Sequence, residues 1–480
     1  MTGRRIAFVV GRIGAVETQA IPLLSAIARE RGHQAILVSW HGRRRRAIGE
    51  LRRFAPDVIA YSIASNQAGE YLAINRELKR RLSFFALFGG PHVTFGTGIL
   101  DDGCVDGACH GEGDTALPDF LDRFGSDAMY ETSNFSFNTP EGVRRNPPAN
   151  LVENLDALPF PDRDLVFGRS PFLAQNPVKG FTAGRGCPYN CAYCFNHAFH
   201  ALYKGKGRIL RTKSVSYLIG EIQSIRNRYP MAFIRFYDDL FGADPEWLEE
   251  FSQRFPKEIG LPFAANARPN IVTGEYAQRL KRAGCFSVFT AVECGNERLR
   301  NEVLDRHISN REILDSCERF KQAGIRIVSL NMLGVPGETE DDIRETMALN
   351  REMGADFADA SIFQPYPGTR AEQYCRERGL LDENYRRFES TYVASALNIS
   401  PEQRQRIFML HKFFGMMVRR SWLWRVVNHL PKKPLFNALW TLLYRLHYAF
   451  SLHRSAYNSV IPFRVRLRGA YDILFSRNRI

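Results

Sequence analysis

Three of the nine cysteines in this 480-residue chain, Cys187, Cys191 and Cys194, fall within GRGCPYNCAYCFN, directly after the apolar run VKGFTAG. The C-x3-C-x2-C spacing puts three thiolates on one loop, and thiolates grouped this closely bind soft metal. An iron–sulfur cube takes one ligand for each iron it anchors, so three cysteines leave its fourth iron open. A zinc knuckle closed by His197 or His200 is the competing reading. The histidine spacing is irregular for one, and the loop opens a βα unit instead of a small finger.

Before this loop, up to about residue 125, the strand-like runs RIAFVV, QAILVS, DVIAYSI, FFALFGG and CVDGACHGEGD alternate with helical patterns, which follow all of them but FFALFGG. Five such units predict an α/β, doubly wound (Rossmann-like) parallel sheet, with ligands beyond the carboxyl ends of its strands. Those ends carry Gly11 and Gly14, Ser62 to Ser65, Gly89, Gly90, and Gly111 to Gly113. No G-x-G-x-x-G follows the first strand, which argues against a dinucleotide. Residues 126–175, rich in Asn, Pro, Asp and Gly without a sustained period, read as a linker stiffened by Pro159 and Pro161.

Over residues 176–380 the alternation resumes. With the strand before Cys187 it gives six strands and their helices, too few for a closed eight-stranded barrel and suited to a partial (β/α)6 barrel. Its strand ends carry Asp238 and Asp239, Asn266 and Arg268, Glu293, and Gly334 with Pro336. Asp239 reads equally well as a helix cap.

The cysteine spacing, with aromatic Tyr193 before the third cysteine, resembles the signature of the radical S-adenosylmethionine (SAM) enzymes. The resemblance implies a [4Fe–4S] cluster on Cys187, Cys191 and Cys194 whose free iron holds SAM, cleaved by one electron to a 5′-deoxyadenosyl radical. It further implies SAM contacts at Tyr193, Asp238 (amino group), Arg268 (carboxylate), Glu293 (ribose, in AVECG, where Ala291 replaces the usual first glycine), and the strand bearing Gly334 and Pro336 (adenine). The ordered set PDVIAYSIAS, FGGPHVTF and HGEGD resembles the cobalamin-binding domain that precedes the radical SAM domain in a large subfamily. On that resemblance Ser62, Ser65, Gly89, Gly90, Gly111 and Gly113 line the cleft for the cobalamin's nucleotide tail. The first loop, GRIGAVETQA, lacks the D-x-H-x-x-G that ligates cobalt from below. His92 and His110, nearest the strand ends, read as turn or satisfied polar residues.

The resemblance implies methyl transfer to an unactivated carbon, with an electron donor such as flavodoxin or ferredoxin; the apolar, basic end of the chain suits a small hydrophobic (lipid, isoprenoid or tetrapyrrole-like) or secondary-metabolite substrate. A cyclase or rearrangement enzyme on the same two domains is the alternative, and a cluster and cobalamin sensor without turnover is an alternative of another class.

The formal charge of +14 is concentrated at the end of the chain: residues 401–480 hold 15 Lys and Arg against Glu402 and Asp472. This mainly helical, aromatic region (381–480) reads either as a cap over the open barrel or as a basic surface for anionic lipid anchored by Trp422, Trp424 and Trp440. It lacks a recognised RNA module, so nucleic acid is not the expected partner. The odd cysteine count and the absence of an export signal or of 18 uninterrupted apolar residues predict a cytoplasmic protein, peripheral at the inner membrane face if the lipid reading holds.

Overall fold

The first four apolar runs become β1 (Arg5–Val10), β2 (Gln34–Ser39), β3 (Val58–Ser62) and β4 (Phe85–Gly89) in the computed structural model. It describes residues 3–14, 18–42, 44–96, 98–382 and 388–457. With β5 (Gly107–Cys109) these strands pair in parallel in the order β2-β1-β3-β4-β5. Ile6, Ala7, Val9, Ile59, Ala86 and Phe88 are fully enclosed, as a sheet covered on both faces requires. The strands belong to a first unit made of residues 1–174, 195–211 and 366–369. Ala15 to Glu17, within the loop that lacks the cobalt-ligating motif, lie outside the described residues.

The stretch read as a linker is not free of structure. Phe135–Thr139 (β6) and Gly142–Arg145 (β7) form an antiparallel hairpin that extends the sheet beyond β5. Phe135 and Phe137 alternate inward and are fully buried, a period-2 signal only three residues long. Further along, Asp162 accepts from the Ser25 hydroxyl at 2.9 Å and its N–H donates to Pro22 O, which fastens this stretch to the helix Ala20–Glu30.

The second unit (175–194, 212–365, 370–480) carries six parallel strands. They are β8 (Val178–Phe181), β9 (Phe233–Phe236), β10 (Phe263–Ala267), β11 (Cys285–Glu293), β12 (Arg326–Leu333) and β13 (Phe357–Ile362). Spatial order follows chain order, giving the open, curled half-barrel that the sequence predicts. Reciprocal side-chain and backbone caps start its helices where the sequence places Ser or Thr three residues before an acid: Ser309 with Glu312, and Thr339 with Asp342.

An open half-barrel exposes edge strands, and the C-terminal region covers one of them. Along β13, His411 Nε2 lies 3.0 Å from Ala360 O, and Ile362 N donates to Thr391 O at 2.6 Å. The helix Pro401–Arg419 approaches so closely that a Cβ on Gly415 would meet Ala358 O at 2.8 Å. Phe408, Met409, Phe413, Phe414, Trp424 and Trp440 form one buried cluster with Ile343 and Met347. Trp424 and Trp440 are therefore core residues, which corrects their expected role as lipid anchors; Trp422 alone of the three is exposed. Residues 458–480 of the basic tail lie outside the described residues. No helix among the described residues is long and apolar enough to cross a membrane.

Candidate active site

The cysteine loop leaves β8 and is held at two places. Asp238, just past β9, accepts from the backbone N–H of Ala183 at 3.0 Å and of Gly184 at 2.6 Å. Burial pushes its carboxyl up to about 6, against the pull of those two N–H groups. In mid-loop the Ala192 N–H donates to Leu304 O and its carbonyl accepts from Ala371 N, both at 2.9 Å. Asp238 is thus a strap for the loop. Exposed Asp239 is the acid that bears on Cys187.

Cys191 is buried, and Cys187 and Cys194 are half-buried. Burial pushes the Cys187 thiol up, with Asp239 adding to the shift and Arg268 opposing it. Arg268 Nη1 lies 3.2 Å from Cys191 Sγ, and its guanidinium stacks 3.8 Å above the Tyr189 ring. Its Nη2 donates to Arg306 O. The guanidinium expected to pair with the SAM carboxylate thus lies beside the cysteine loop. Among the described residues no three His, Cys, Asp or Glu side chains converge as a single ion requires. Three cysteines are a donor set that fits a cube, which meets each thiolate at a different iron.

Tyr193, from the same loop, donates to Glu293 Oε1 at 2.7 Å. Arg306 Nη1 contacts the Tyr193 hydroxyl at 2.5 Å and Glu293 Oε1 at 3.2 Å, and its Nη2 donates to Ala291 O at 2.9 Å. Burial works against the charge on Arg306, but Tyr193 and Glu293 outweigh it and hold the guanidinium above its ordinary value. Glu293 ends β11 with φ +63 beside a register shift, a strained conformation in a non-glycine residue. Arg306 was missed in the sequence; nothing in NEVLDRHIS distinguishes it. At the end of β12, Gly334 (φ +77) gives its N–H to Glu338 Oε2 at 2.5 Å, so the backbone group expected to face adenine already has a partner. Burial pushes the Glu338 carboxyl up to about 8. Pro336 is buried beside it.

Register divides the side chains of these strands between two faces. Phe289, Val328 and Phe357 form one row and Ala291, Leu330 and Asp359 the next, while Ala358 and Ala360 on the opposite face pack against the helices. Arg235 crosses from β9 to place its guanidinium 3.8 Å from the Phe289 ring and to donate to Asn266 Oδ1 at 2.5 Å. Asp359 is buried; its Oδ2 lies 3.5 Å from the Tyr392 hydroxyl, and burial pushes its carboxyl up to about 7. The C-terminal helix covers the first row: Val328 and Phe357 cluster with Ala456, and Phe289, Tyr448, Leu452 and Tyr457 pack against them.

In the first unit, Ser62, Ser65, Gly89, Gly90, Gly111 and Gly113 gather at the carboxyl ends of β3, β4 and β5. Ser65 Oγ meets His92 Nδ1 at 3.2 Å, and His110 is satisfied by Val93 O and Ser136 Oγ, both at 3.0 Å. Two glycines are needed for packing as well: a Cβ on Gly90 (φ +94) would lie 2.7 Å from Ile63 N, and one on Gly111 (φ +77) 2.1 Å from the Tyr203 hydroxyl. That hydroxyl accepts the Glu112 N–H at 2.8 Å, and Arg211 clamps the Glu112 carboxylate through both nitrogens. His110 to Gly113 stay partly exposed beside buried Cys109 and Asp114. His41, paired with Glu70 at 2.6 Å beyond the end of β2, joins this edge and was not singled out in the sequence.

Residues 181–349 match the radical SAM superfamily. An uncharacterised methyltransferase of Pyrococcus horikoshii is 26% identical over 345 residues, covering 70% of this chain and 73% of that protein. Cytidylyl-2-hydroxyethylphosphonate methyltransferase of Streptomyces wedmorensis is 23% identical over 394 residues, 73% of this chain and 72% of that protein. The fold is similar to OxsB, a cobalamin-dependent S-adenosylmethionine radical enzyme solved with aqua-cobalamin and S-adenosylmethionine bound. The TM-score is 0.68 at 16% identity, covering 98% of this chain and 75% of that one.

Proposed function

We propose that this chain, which belongs to the radical SAM superfamily, is a cobalamin-dependent methyltransferase that modifies an unactivated carbon of a largely apolar substrate. When bound, a [4Fe–4S] cluster, SAM and cobalamin supply hydrogen abstraction and methyl delivery, chemistry that no side chain provides. Cys187, Cys191 and Cys194 would hold the cluster; Arg268, Glu293 and the Gly334 strand would hold SAM. The strand ends at Ser62, Gly89 and Gly111 would hold cobalamin, with an electron arriving from a small redox protein.

The observation that carries this reading is the loop itself. Three cysteines sit at the open end of a parallel half-barrel, strapped by Asp238 and hydrogen-bonded through Ala192. Fixed backbone of this kind holds its ligands in place before they are loaded. Tyr193 ties the loop to Glu293, so the cluster ligands and the ribose-binding acid share one hydrogen-bonded frame. The apolar, basic C-terminal region suits a largely apolar substrate.

The test is the product pair after anaerobic reconstitution with SAM, cobalamin and dithionite, using apolar candidate substrates. S-adenosylhomocysteine together with 5′-deoxyadenosine supports methyl transfer. 5′-Deoxyadenosine alone assigns the chain to cyclisation or rearrangement, and the absence of both products contradicts the proposal.

A further inference from the structure

The helix Asn437–Ala456 is apolar on two opposite faces. Trp440, Tyr444, Ser451 and Ser455 are buried on one. On the other, Leu439, Leu442, Leu443 and Leu446 are 40–51% exposed and Phe450 is 71% exposed. These five side chains fall within an arc of about 100° on the helix surface. Leu435, just before the helix, is 82% exposed and extends the stripe. One exposed leucine needs no explanation, whereas a continuous stripe of six large apolar side chains marks a surface that something covers.

The charges nearby indicate what covers it. From Gln403 to Tyr457 the chain contains no Asp or Glu, and Arg419, Arg420, Arg425, Lys432 and Lys433 are exposed. Lys432 and Lys433 directly precede the stripe. A second copy seated there about a two-fold axis would bring these cations near their own kind. A negatively charged lipid surface neutralises them while receiving the apolar side chains.

We propose that the stripe from Leu435 to Phe450, with Lys432 and Lys433 at its head, docks this protein on an anionic lipid surface. The helix lies in the interface plane; it is not apolar enough to cross a bilayer. The aromatic anchors expected from the sequence are replaced by leucines and Phe450. This inference does not depend on the proposed chemistry.

The test floats the anaerobically purified, cluster-loaded full chain with vesicles of phosphatidylcholine alone, or of phosphatidylcholine mixed equally with phosphatidylglycerol. Flotation is expected with the anionic vesicles only, and it should weaken as salt is added. K432Q and K433Q should each lower vesicle affinity about fivefold. The triple variant L442Q/L446Q/F450Q, altered only at exposed positions, should lower it more than about tenfold with its unfolding midpoint unchanged. Equal flotation on both vesicle types, or unchanged flotation of the triple variant, overturns the proposal. So does a solution dimer that the triple variant dissociates, which assigns the stripe to a second copy. Lipid and salt dependence of the unaltered chain test the idea without any substitution.

Discussion

The Tyr193 hydroxyl donates to the Glu293 carboxylate at 2.7 Å, joining the cysteine loop to the end of β11 across one hundred positions of sequence. Arg306 closes the triangle from a loop of its own, flanked by Asp305 and His307 at φ +51. The three groups bond to one another in a buried setting where Arg306 Nε already has no partner, so removing any one leaves further polar atoms unpaired.

Arg306→Met removes the cation and leaves Glu293 buried and charged, at an expected cost of about 3–5 kcal/mol. Tyr193→Phe removes one donor and should cost about 1 kcal/mol while weakening SAM binding by weakening the hold on Glu293. Urea unfolding of the cluster-free chain and SAM titration of the loaded one measure the two effects. Equal small losses for both variants would show that the triangle is not an interacting unit.

Asp238→Ala withdraws two acceptors from Ala183 and Gly184. Two buried N–H groups lose their partner, at about 1–3 kcal/mol each. Because these groups set the path into Cys187, iron retained per chain after desalting should fall more steeply than the folded fraction measured by circular dichroism. Iron retention that tracks the folded fraction would reduce Asp238 to a stability residue.

Asp359 links stability to pH. Its carboxyl, held at about 7 by burial, lies above the unfolded value of about 4. The contribution of the protonated acid is therefore complete below about pH 4 and is lost as the pH rises to about 7. Lys412, lowered to about 7 by burial, has the opposite sign: its contribution is present above its unfolded value of about 10.4 and is lost as the pH falls to about 7. Asp359→Asn should leave stability near pH 4 almost unchanged and raise it at pH 8 by at most about 4 kcal/mol. Denaturant titrations of the cluster-free chain at both pH values check this, and a difference from wild type that does not vary with pH would contradict it.

Two glycines should respond in opposite directions. Gly111→Ala places a methyl against the Tyr203 hydroxyl at φ +77 and should cost at least about 1–2 kcal/mol. Gly49 lies inside the helix Arg44–Phe54 with open space around it, and Gly49→Ala should add about 0.5–1 kcal/mol. Paired melting curves decide the matter.

The βα alternation was legible because each strand is a run of apolar residues buried on both faces, bounded by turn residues. The hairpin Phe135–Arg145 was not, because its inward signal is confined to Phe135 and Phe137 within a stretch of Asn, Thr, Pro and Gly. The cysteine loop and Glu293 could be located from spacing and strand ends. Arg306 and Asp359 could not, since their roles depend on contacts formed by distant segments: Tyr193 for the first, Tyr392 for the second. In the tail, apolar residues on both faces of Asn437–Ala456 leave no periodic contrast between buried and exposed sides, so the sequence could not say that Trp440 faces inward and Leu446 outward.

The central claim is that Cys187, Cys191 and Cys194 seat a cube with one iron open to SAM. It is tested most directly by iron content and 5′-deoxyadenosine formation in anaerobic protein reduced with dithionite in the presence of SAM. The expected result is about four irons per chain with 5′-deoxyadenosine released, and loss of both when the three cysteines are replaced together by alanine. Iron-free wild-type protein after reconstitution, or 5′-deoxyadenosine formed equally by the triple-alanine variant, would contradict the account.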